Sequence, residues 1–176
     1  IKDTFKKYKR KGLVFPANKK LNEYKNADKY DAVIAVWTDY FNKKFNAKPP
    51  LDPDVVKALI ASESSFRADT PENKIAIGIT QITKPTLRIL QDPKGEARAF
   101  TFIRIRQKDL KDPNIAIPMG IRWLYRKRAT AQSKLKRMPN NKELILEYKG
   151  MLKSKTQLKS KALKNFKDHY DRLKSK

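Results

Sequence analysis

The chain has 176 residues, 39% of them hydrophobic, which supports one hydrophobic core and argues against several independent domains. It carries 42 Lys and Arg against 18 Asp and Glu, a formal charge of +24, so polyanions such as nucleic acid, anionic membranes and anionic wall polymers attract it. The predominance of Lys over Arg favours diffuse polyanion attraction over base-reading contacts with nucleic acid. The absence of Cys excludes disulfides and thiol chemistry, and no apolar stretch approaches the roughly 20 residues of a membrane span.

The first predicted helix follows a Lys-rich N-terminal segment, residues 1–29, which we interpret as a basic arm. After it, apolar residues recur at positions i, i+3, i+4, i+7 and i+8, which is the spacing of an amphipathic helix. These residues are Val33, Val36, Trp37, Tyr40 and Phe41. The helix is expected to end before the breaker Lys48-Pro49-Pro50.

A second helix is predicted to begin at Asp52-Pro53, because Asp caps helix N-termini and Pro suits the first helical position. Its apolar stripe consists of Val55, Val56, Leu59 and Ile60. The next position on the same stripe is Glu63. A carboxylate that faces its own apolar stripe has either an ion-pair partner or a chemical use. The residues that follow favour a chemical use.

The amino-acid composition changes in the middle of the chain, after a predicted turn at residues 70–73. Residues 75–82 are rich in β-branched side chains and interrupted by a glycine, which predicts a short strand or hairpin beside the second helix. A short helix is expected from Thr83 to Leu90. The segment 91–111 mixes strand and helix signals, and Asp112-Pro113 then repeats the cap-then-proline signature of a helix start.

Two further helices are predicted towards the C-terminus. Asn140 and Glu143 have the spacing of a capping box, and an apolar stripe that runs from Leu144 to Leu152 follows them. Residues 153–176 predict a basic amphipathic helix.

These elements predict a mainly α domain with at most a small β-hairpin or sheet next to the helix that carries Glu63. We expect the basic arm 1–29, one domain over 30–152, and the helix 153–176 packed on that domain or extending from it. Trp37 and Trp123 are expected in the core. His169, in the basic tail, is expected on the surface.

Four motifs surround the unusual carboxylate in chain order. They are Glu63-Ser64-Ser65-Phe66, Gly78-Ile79-Thr80-Gln81-Ile82, Asp112-Pro113-Asn114-Ile115 and Tyr148-Lys149-Gly150. Their order and spacing resemble the soluble lytic transglycosylase domain of the lysozyme-like superfamily. That family typically shows Glu-Ser-x-Phe, Gly-Leu-Met-Gln-Ile, Asp-Pro-x-x-Asn-Ile and Ala-Tyr-Asn-x-Gly. The resemblance covers roughly residues 51–150, and four motifs in the right order make it fairly specific.

The resemblance implies a role for each matching position. Glu63 would be the catalytic acid, and Ser64 would flank it at a family position. Gly78 and Gln81 would lie by the sugar cleft, with Gly78 letting the backbone approach the substrate. Tyr148 would lie near the acid and hold either the acid or the sugar.

Two departures from the family pattern matter for the site. Thr80 stands where the family has Met, which predicts a polar residue in an otherwise apolar cleft wall. Lys149 stands where the family has Asn, so its contact with a sugar would differ or be lost.

The chemistry implied by the resemblance needs one carboxyl group. In the family, a single Glu protonates the glycosidic oxygen and then acts as base for the muramyl C6 hydroxyl, so the product is a 1,6-anhydro sugar and no water is consumed. Apolar surroundings help such an acid to stay protonated, because burial penalises the charged form. A hydrolase usually needs a second carboxylate. The candidates here, none within a motif, are Asp69, Glu72, Glu96 and Asp109.

We therefore expect a peptidoglycan lytic transglycosylase that cleaves the MurNAc-β-1,4-GlcNAc bond without a cofactor or metal. Its partners would be glycan strands, and the Lys-rich ends would hold anionic wall polymers or a membrane surface. Two alternatives stay open: a muramidase that cleaves the same bond with water, and a non-catalytic polyanion or nucleic-acid binder. We expect an extracytoplasmic protein, in periplasm, cell wall or medium. No targeting segment is visible, and the initial Ile suggests a mature or trimmed form.

Overall fold

A computed structural model describes residues 4–5, 8, 12–69, 75–98 and 104–175 of the chain. Within these residues the structure is mainly α, which confirms the predicted fold class. No helix of these segments is long and apolar enough to cross a bilayer. The elements are α1 (Asp31–Lys44), α2 (Pro53–Ser64), β1 (Ala76–Ile77), β2 (Ile82–Thr83), α3 (Lys84–Leu90), two 3₁₀ helices (Glu96–Arg98 and Gln107–Lys111), α4 (Pro113–Leu135), α5 (Asn141–Tyr148) and α6 (Thr156–Lys174).

Helix α2 lies at the centre of the core. Its start is as predicted, because the Asp52 side chain accepts a hydrogen bond from the Asp54 amide at 2.9 Å and Pro53 is the first helical residue. The apolar stripe is almost completely buried, and each such side chain contributes about 1.5–3 kcal/mol of hydrophobic stabilisation. Helices α1 and α6 pack against α2 from two sides.

The short sheet confirms the predicted hairpin beside α2. Strands β1 and β2 are antiparallel, with Ala76 opposite Thr83 and Ile77 opposite Ile82. Thr83 also caps α3, because its hydroxyl accepts a hydrogen bond from the Thr86 amide at 3.2 Å. The hairpin turn, residues 78–81, is therefore held at both of its ends.

The long helix α4 packs against α1 and α5. It begins at the predicted cap, where the Asp112 side chain accepts from the Asn114 amide at 2.9 Å. Gly120 lies where α4 passes the hairpin turn, and a Cβ there would come within 2.6 Å of the Thr80 methyl carbon. The glycine is needed for this close approach.

Helix α5 has the predicted capping box, but it is shorter than its apolar stripe suggests. It ends at Tyr148 instead of continuing towards Leu152, which is buried in a separate small cluster. The reason is Gly150, whose φ of 72° reverses the chain. The Met151 amide bonds to the Leu146 carbonyl at 2.7 Å and the Gly150 amide to the Glu147 carbonyl at 3.1 Å, which together form a Schellman motif.

Two predicted segments lie partly or wholly outside the described residues. The described parts of the ambiguous segment 91–111 contain the two 3₁₀ helices, and its residues 99–103 are not described. The predicted turn at 70–73 also lies outside the described residues. Trp37 and Trp123 are in the core, as expected, with 1% and 7% exposure.

The expectation of a surface histidine was wrong. His169 is 8% exposed, and its Nε2 is 2.8 Å from the Tyr24 hydroxyl, which lies in the Lys-rich N-terminal segment. Burial lowers the pKa of the imidazole from its ordinary value. Helix α6 turns this side chain towards the protein because it follows Phe166, the main core residue of that helix, by three positions.

The described part of the N-terminal segment packs on α2. Leu21 and Ala27 are buried in the main core. The Ala17 amide donates to the Asp54 carboxylate at 2.7 Å, and its carbonyl accepts from Lys57 at 2.8 Å. The division of the chain into arm, domain and C-terminal helix stays a prediction.

Candidate active site

Glu63 lies in the last turn of α2, where the helix leaves the core. Its side chain is 16% exposed, in contrast to the nearly inaccessible stripe that leads up to it. The two following residues, Ser65 and Phe66, have φ values of 52° and 59°, in the left-handed region that costs energy for residues with a Cβ. Phe66 is nevertheless 1% exposed, so core packing holds this bend directly after the acid.

Ser64 ties the end of α2 to the hairpin turn. Its hydroxyl donates to the Ile79 carbonyl at 2.8 Å, with the Ile60 carbonyl also within reach at 3.1 Å. The side chain is buried, with 7% exposure. Ser64 therefore fixes the distance between the helix that carries Glu63 and the turn that carries Gly78 and Gln81.

The hairpin turn is shaped by Gly78 and Gln81. Gly78 has a φ of 74°, and a Cβ there would lie 2.0 Å from the Leu110 carbonyl oxygen. Only glycine fits such a position without a shift of the backbone. Gln81 has a φ of 51°, and both its amide and its side-chain nitrogen donate to the Gly78 carbonyl, at 3.0 and 2.9 Å. The proximity of these two residues to a sugar stays a prediction.

The expectation that Thr80 lines a cleft wall was wrong. The side chain is 1% exposed, and its hydroxyl donates to the Ala116 carbonyl of α4 at 2.9 Å. It packs against Gly120, where space is limited. The small hydroxyl side chain therefore joins the turn to α4 and does not change the polarity of the substrate surface.

Tyr148 joins the end of α5 to the same turn. Its hydroxyl donates to the Thr80 carbonyl at 2.7 Å. Burial raises the pKa of the Tyr148 phenol well above its ordinary value, and the negative charge of Glu63 raises it further. The phenol is therefore neutral at pH 7 and acts as a hydrogen-bond donor within the electrostatic range of Glu63.

Lys149 makes the contact with Glu63 that the sequence did not predict. Its ammonium forms an ion pair with Glu63 Oε1, across 86 positions of the chain. The Schellman turn at Gly150 ends α5 directly after Tyr148, so Lys149 becomes the C-cap and its side chain leaves the helix towards α2. The ion-pair partner that the sequence left as an alternative for Glu63 is thus present. The motif Tyr148-Lys149-Gly150 was the sequence signal that could have pointed to this position.

Two of the four candidate second carboxylates have partners other than Glu63. Glu96 forms ion pairs with Arg122 and Arg126 of α4, and Asp109 accepts a hydrogen bond from the Arg106 amide at 2.7 Å. Asp69 is exposed, and Glu72 lies outside the described residues. Among the described ion pairs and hydrogen bonds, Glu63 has Lys149 as its one charged partner.

Two grooves of the structure lie away from these residues. One of 820 Å³ follows the α1–α2 connection and the second half of α4, and one of 600 Å³ lies between α1 and the start of α2. Neither contains Glu63, Ser64, Gly78, Gln81 or Tyr148. The convergence of motifs, and not the volume of a cavity, identifies the candidate site.

The described residues form a helical domain in which Glu63 lies at the junction of the buried helix α2 and a small hairpin. This is the architecture expected of a lysozyme-like enzyme. The sequence model of the Transglycosylase SLT domain family matches residues 39–167, well over half of the chain. The chain belongs to this family, whose members are lytic transglycosylases that act on peptidoglycan, outside the cytoplasm. No curated protein matches the chain.

Proposed function

We propose that the protein cleaves the MurNAc-β-1,4-GlcNAc bond of peptidoglycan by a transglycosylase reaction in which Glu63 is first the acid and then the base. The observation that carries this proposal is the junction at Glu63. The end of α2, the turn 78–81 and the end of α5 meet there through the Ser64 and Tyr148 hydrogen bonds.

The reaction balances with one carboxyl group. Glu63 gives its proton to the glycosidic oxygen, and the bond between that oxygen and the muramyl C1 breaks. The C6 hydroxyl of the same muramyl residue then bonds to C1 and returns its proton to Glu63. The product is a 1,6-anhydro muropeptide, and the acid is regenerated without water.

Among the described residues, no hydrogen bond or ion pair links a second carboxylate to Glu63 through a shared partner, which favours this scheme over hydrolysis. A muramidase needs another acid about 5–5.5 Å away for retention, or about 6.5–9.5 Å away for inversion. Glu96 and Asp109 are engaged elsewhere. Neither of these two residues is therefore linked to Glu63 by a described contact.

The other site residues have supporting roles in this proposal. Ser64 and Tyr148 hold the turn through its backbone carbonyls, and Gly78 and Gln81 give the turn its shape. The Ser64 hydrogen bond to the Ile79 carbonyl brings the turn against the end of α2, directly after the acid. We propose that the glycan lies along it, next to Glu63.

The basic C-terminal helix would hold the enzyme on its substrate. Helix α6 buries Phe166 and Leu173 against the core, whereas Lys161, Lys164 and Lys167 are exposed. Such a solvated row of ammonium groups attracts anionic wall polymers or an anionic membrane without a shaped site. This association is expected to weaken as salt increases.

The products of purified peptidoglycan test the proposal. Mass spectrometry should find anhydromuropeptides with the wild-type protein and none with Glu63→Gln. Reducing-end muropeptides would instead identify a muramidase. Salt-dependent DNA binding without any glycan product would favour the non-catalytic binder.

A further inference from the structure

The contact between Lys149 and Glu63 conflicts with the first step of the proposed reaction. The acid must present its proton to the glycosidic oxygen, but the Lys149 ammonium occupies Glu63 Oε1 and donates a charge-assisted hydrogen bond to it. A fixed cation also disfavours the positive charge that develops on the sugar. The observed arrangement suits the base step and not the acid step.

The two side chains are placed so that the contact persists in the free protein. Lys149 and Glu63 are only 19% and 16% exposed, so water screens their attraction less than at an open surface. The C-cap position fixes the Lys149 backbone, and the neighbouring Tyr148 is tied to Thr80. Among the described residues, Glu63 is the one acid with which Lys149 forms an ion pair.

A second anion could relieve the conflict. The Lys side chain has a flexible stem, so its ammonium can pass from one carboxylate to another within reach. Peptidoglycan offers carboxylates close to the scissile bond. In peptide-bearing strands these belong to the stem peptide, and in peptide-free strands the lactyl group of the muramyl residue is itself a carboxylate.

We propose that Lys149 is a positioning residue that makes cleavage depend on a carboxylate of the substrate. In the free protein its ammonium occupies the Glu63 carboxyl group. When a bound glycan presents a carboxylate, the ammonium moves to it, and the Glu63 carboxyl group is released to act as the acid. This inference rests on the proposed function and adds to it a requirement for anionic glycans.

The test compares substrates that share one glycan backbone and differ in charge. Three preparations are used: native peptide-bearing strands, the same strands with their carboxylates amidated by carbodiimide coupling, and peptide-free strands with free lactyl groups. The turnover number and KM are measured for the wild type, Lys149→Asn and Lys149→Arg. Lys153→Asn is the matched control, since it removes an exposed Lys four positions further along.

The wild type should lose about tenfold or more in turnover on amidated strands. Lys149→Asn should cleave native and amidated strands at rates within about twofold of each other, because the charge to be neutralised is gone. Lys149→Arg and Lys153→Asn should keep the wild-type dependence. The peptide-free strands show whether the lactyl carboxylate can replace those of the stem peptide: turnover near the native value means that it can, and turnover near the amidated value means that only the stem peptide serves.

Failure of the role of Lys149 and failure of the proposed function would give different results. Wild-type cleavage that is equally fast on native and amidated strands, or a Lys149→Asn variant that keeps the full dependence, would overturn the role of Lys149 and leave the proposed function standing. A wild type that releases no product dependent on Glu63 would overturn the proposed function, and this inference with it.

Discussion

Lys57 and Glu63 lie on the same helix, and each forms ion pairs, but their surroundings are opposite. Lys57 is fully buried, and its ammonium contacts the Asp28 and Asp31 carboxylates at 2.6 and 2.8 Å and the Ala17 carbonyl at 2.8 Å. Glu63 is partly exposed and has one charged partner among the residues that the structure describes. A buried charge with three acceptors is held in a single arrangement, whereas a partly exposed pair can exchange partners.

The two halves of α2 differ in what their charged residues do. The Lys57 cluster joins the N-terminal segment and α1 to the first half of the helix, and its acids show the effect of burial. Desolvation raises the pKa of Asp31 to about 6 despite the nearby ammonium, while the Lys57 hydrogen bond helps to lower the pKa of the more exposed Asp28. The second half of α2 carries Glu63, the candidate acid, in a partly exposed ion pair with Lys149.

The largest expected effect on stability follows from Lys57→Met. The substitution leaves two carboxylates and a carbonyl without their donor, and breaking a buried charge pair costs about 3–5 kcal/mol. Urea unfolding should show this loss in the free energy of unfolding. Lys153→Met, at an exposed position, should change it by less than about 0.5 kcal/mol. Equal losses in both variants would show that the Lys57 cluster is not structural.

A smaller loss is expected for Gly78→Ala, because the new Cβ would meet the Leu110 carbonyl at 2.0 Å at a φ of 74°. Overpacking and backbone strain together should cost about 2–4 kcal/mol. Gly150→Ala is the matched control, since its φ is 72° but no atom lies within 4 Å of the new Cβ. Thermal unfolding should place that loss near 1 kcal/mol. If the two variants lose the same stability, the close approach to Leu110 is not what requires Gly78.

The third effect concerns the hydrogen bond between Tyr148 and the turn. Tyr148→Phe removes the donor to the Thr80 carbonyl and should cost about 1–2 kcal/mol in the free energy of unfolding. Turnover on peptidoglycan should fall as well, because the turn next to Glu63 is less well fixed. Unchanged turnover together with the expected loss of stability would limit Tyr148 to a structural role.

The smallest effect is a pH dependence from His169. Its pKa is lowered in the folded protein by burial, so below about pH 6.5 the unfolded chain takes up a proton that the folded chain resists. Stability therefore falls as the pH decreases, by at most about 1.4 kcal/mol per pH unit. Asp31 acts in the opposite direction, since a raised carboxyl pKa adds stability as the pH falls through about 6.

The difference between wild type and His169→Gln isolates the histidine from Asp31. Urea unfolding at pH 7.5 and pH 5 should show a smaller loss of stability on acidification in the variant. An identical loss in both proteins would show that His169 does not contribute.

Local signals in the sequence were sufficient for the elements that position the site. Asp52-Pro53, Asp112-Pro113 and the Asn140 box predicted helix starts, because a cap depends on residues within one turn. The hairpin and the place of Glu63 at the end of its stripe were also predicted. These features depend on periodicity and turn chemistry, which the sequence carries directly.

The ion pairs could not be predicted in the same way, since their partners are distant in the chain. Lys57 meets Asp28 and Asp31 across the α1–α2 connection, and Glu63 meets Lys149 from another helix. One signal was present for Lys57, which interrupts the otherwise apolar run 55–61. A helix that is buried on every side must pair such a charge. Helix α5 was predicted too long because Gly150 was not recognised as its end.

The most direct test of the central claim measures both stability and activity for Glu63→Gln. The account predicts that turnover on peptidoglycan falls by about 10²–10⁴, the usual contribution of a general acid, while the free energy of unfolding changes by less than about 1 kcal/mol. A variant that keeps wild-type turnover, or one that loses as much stability as Lys57→Met, would contradict it.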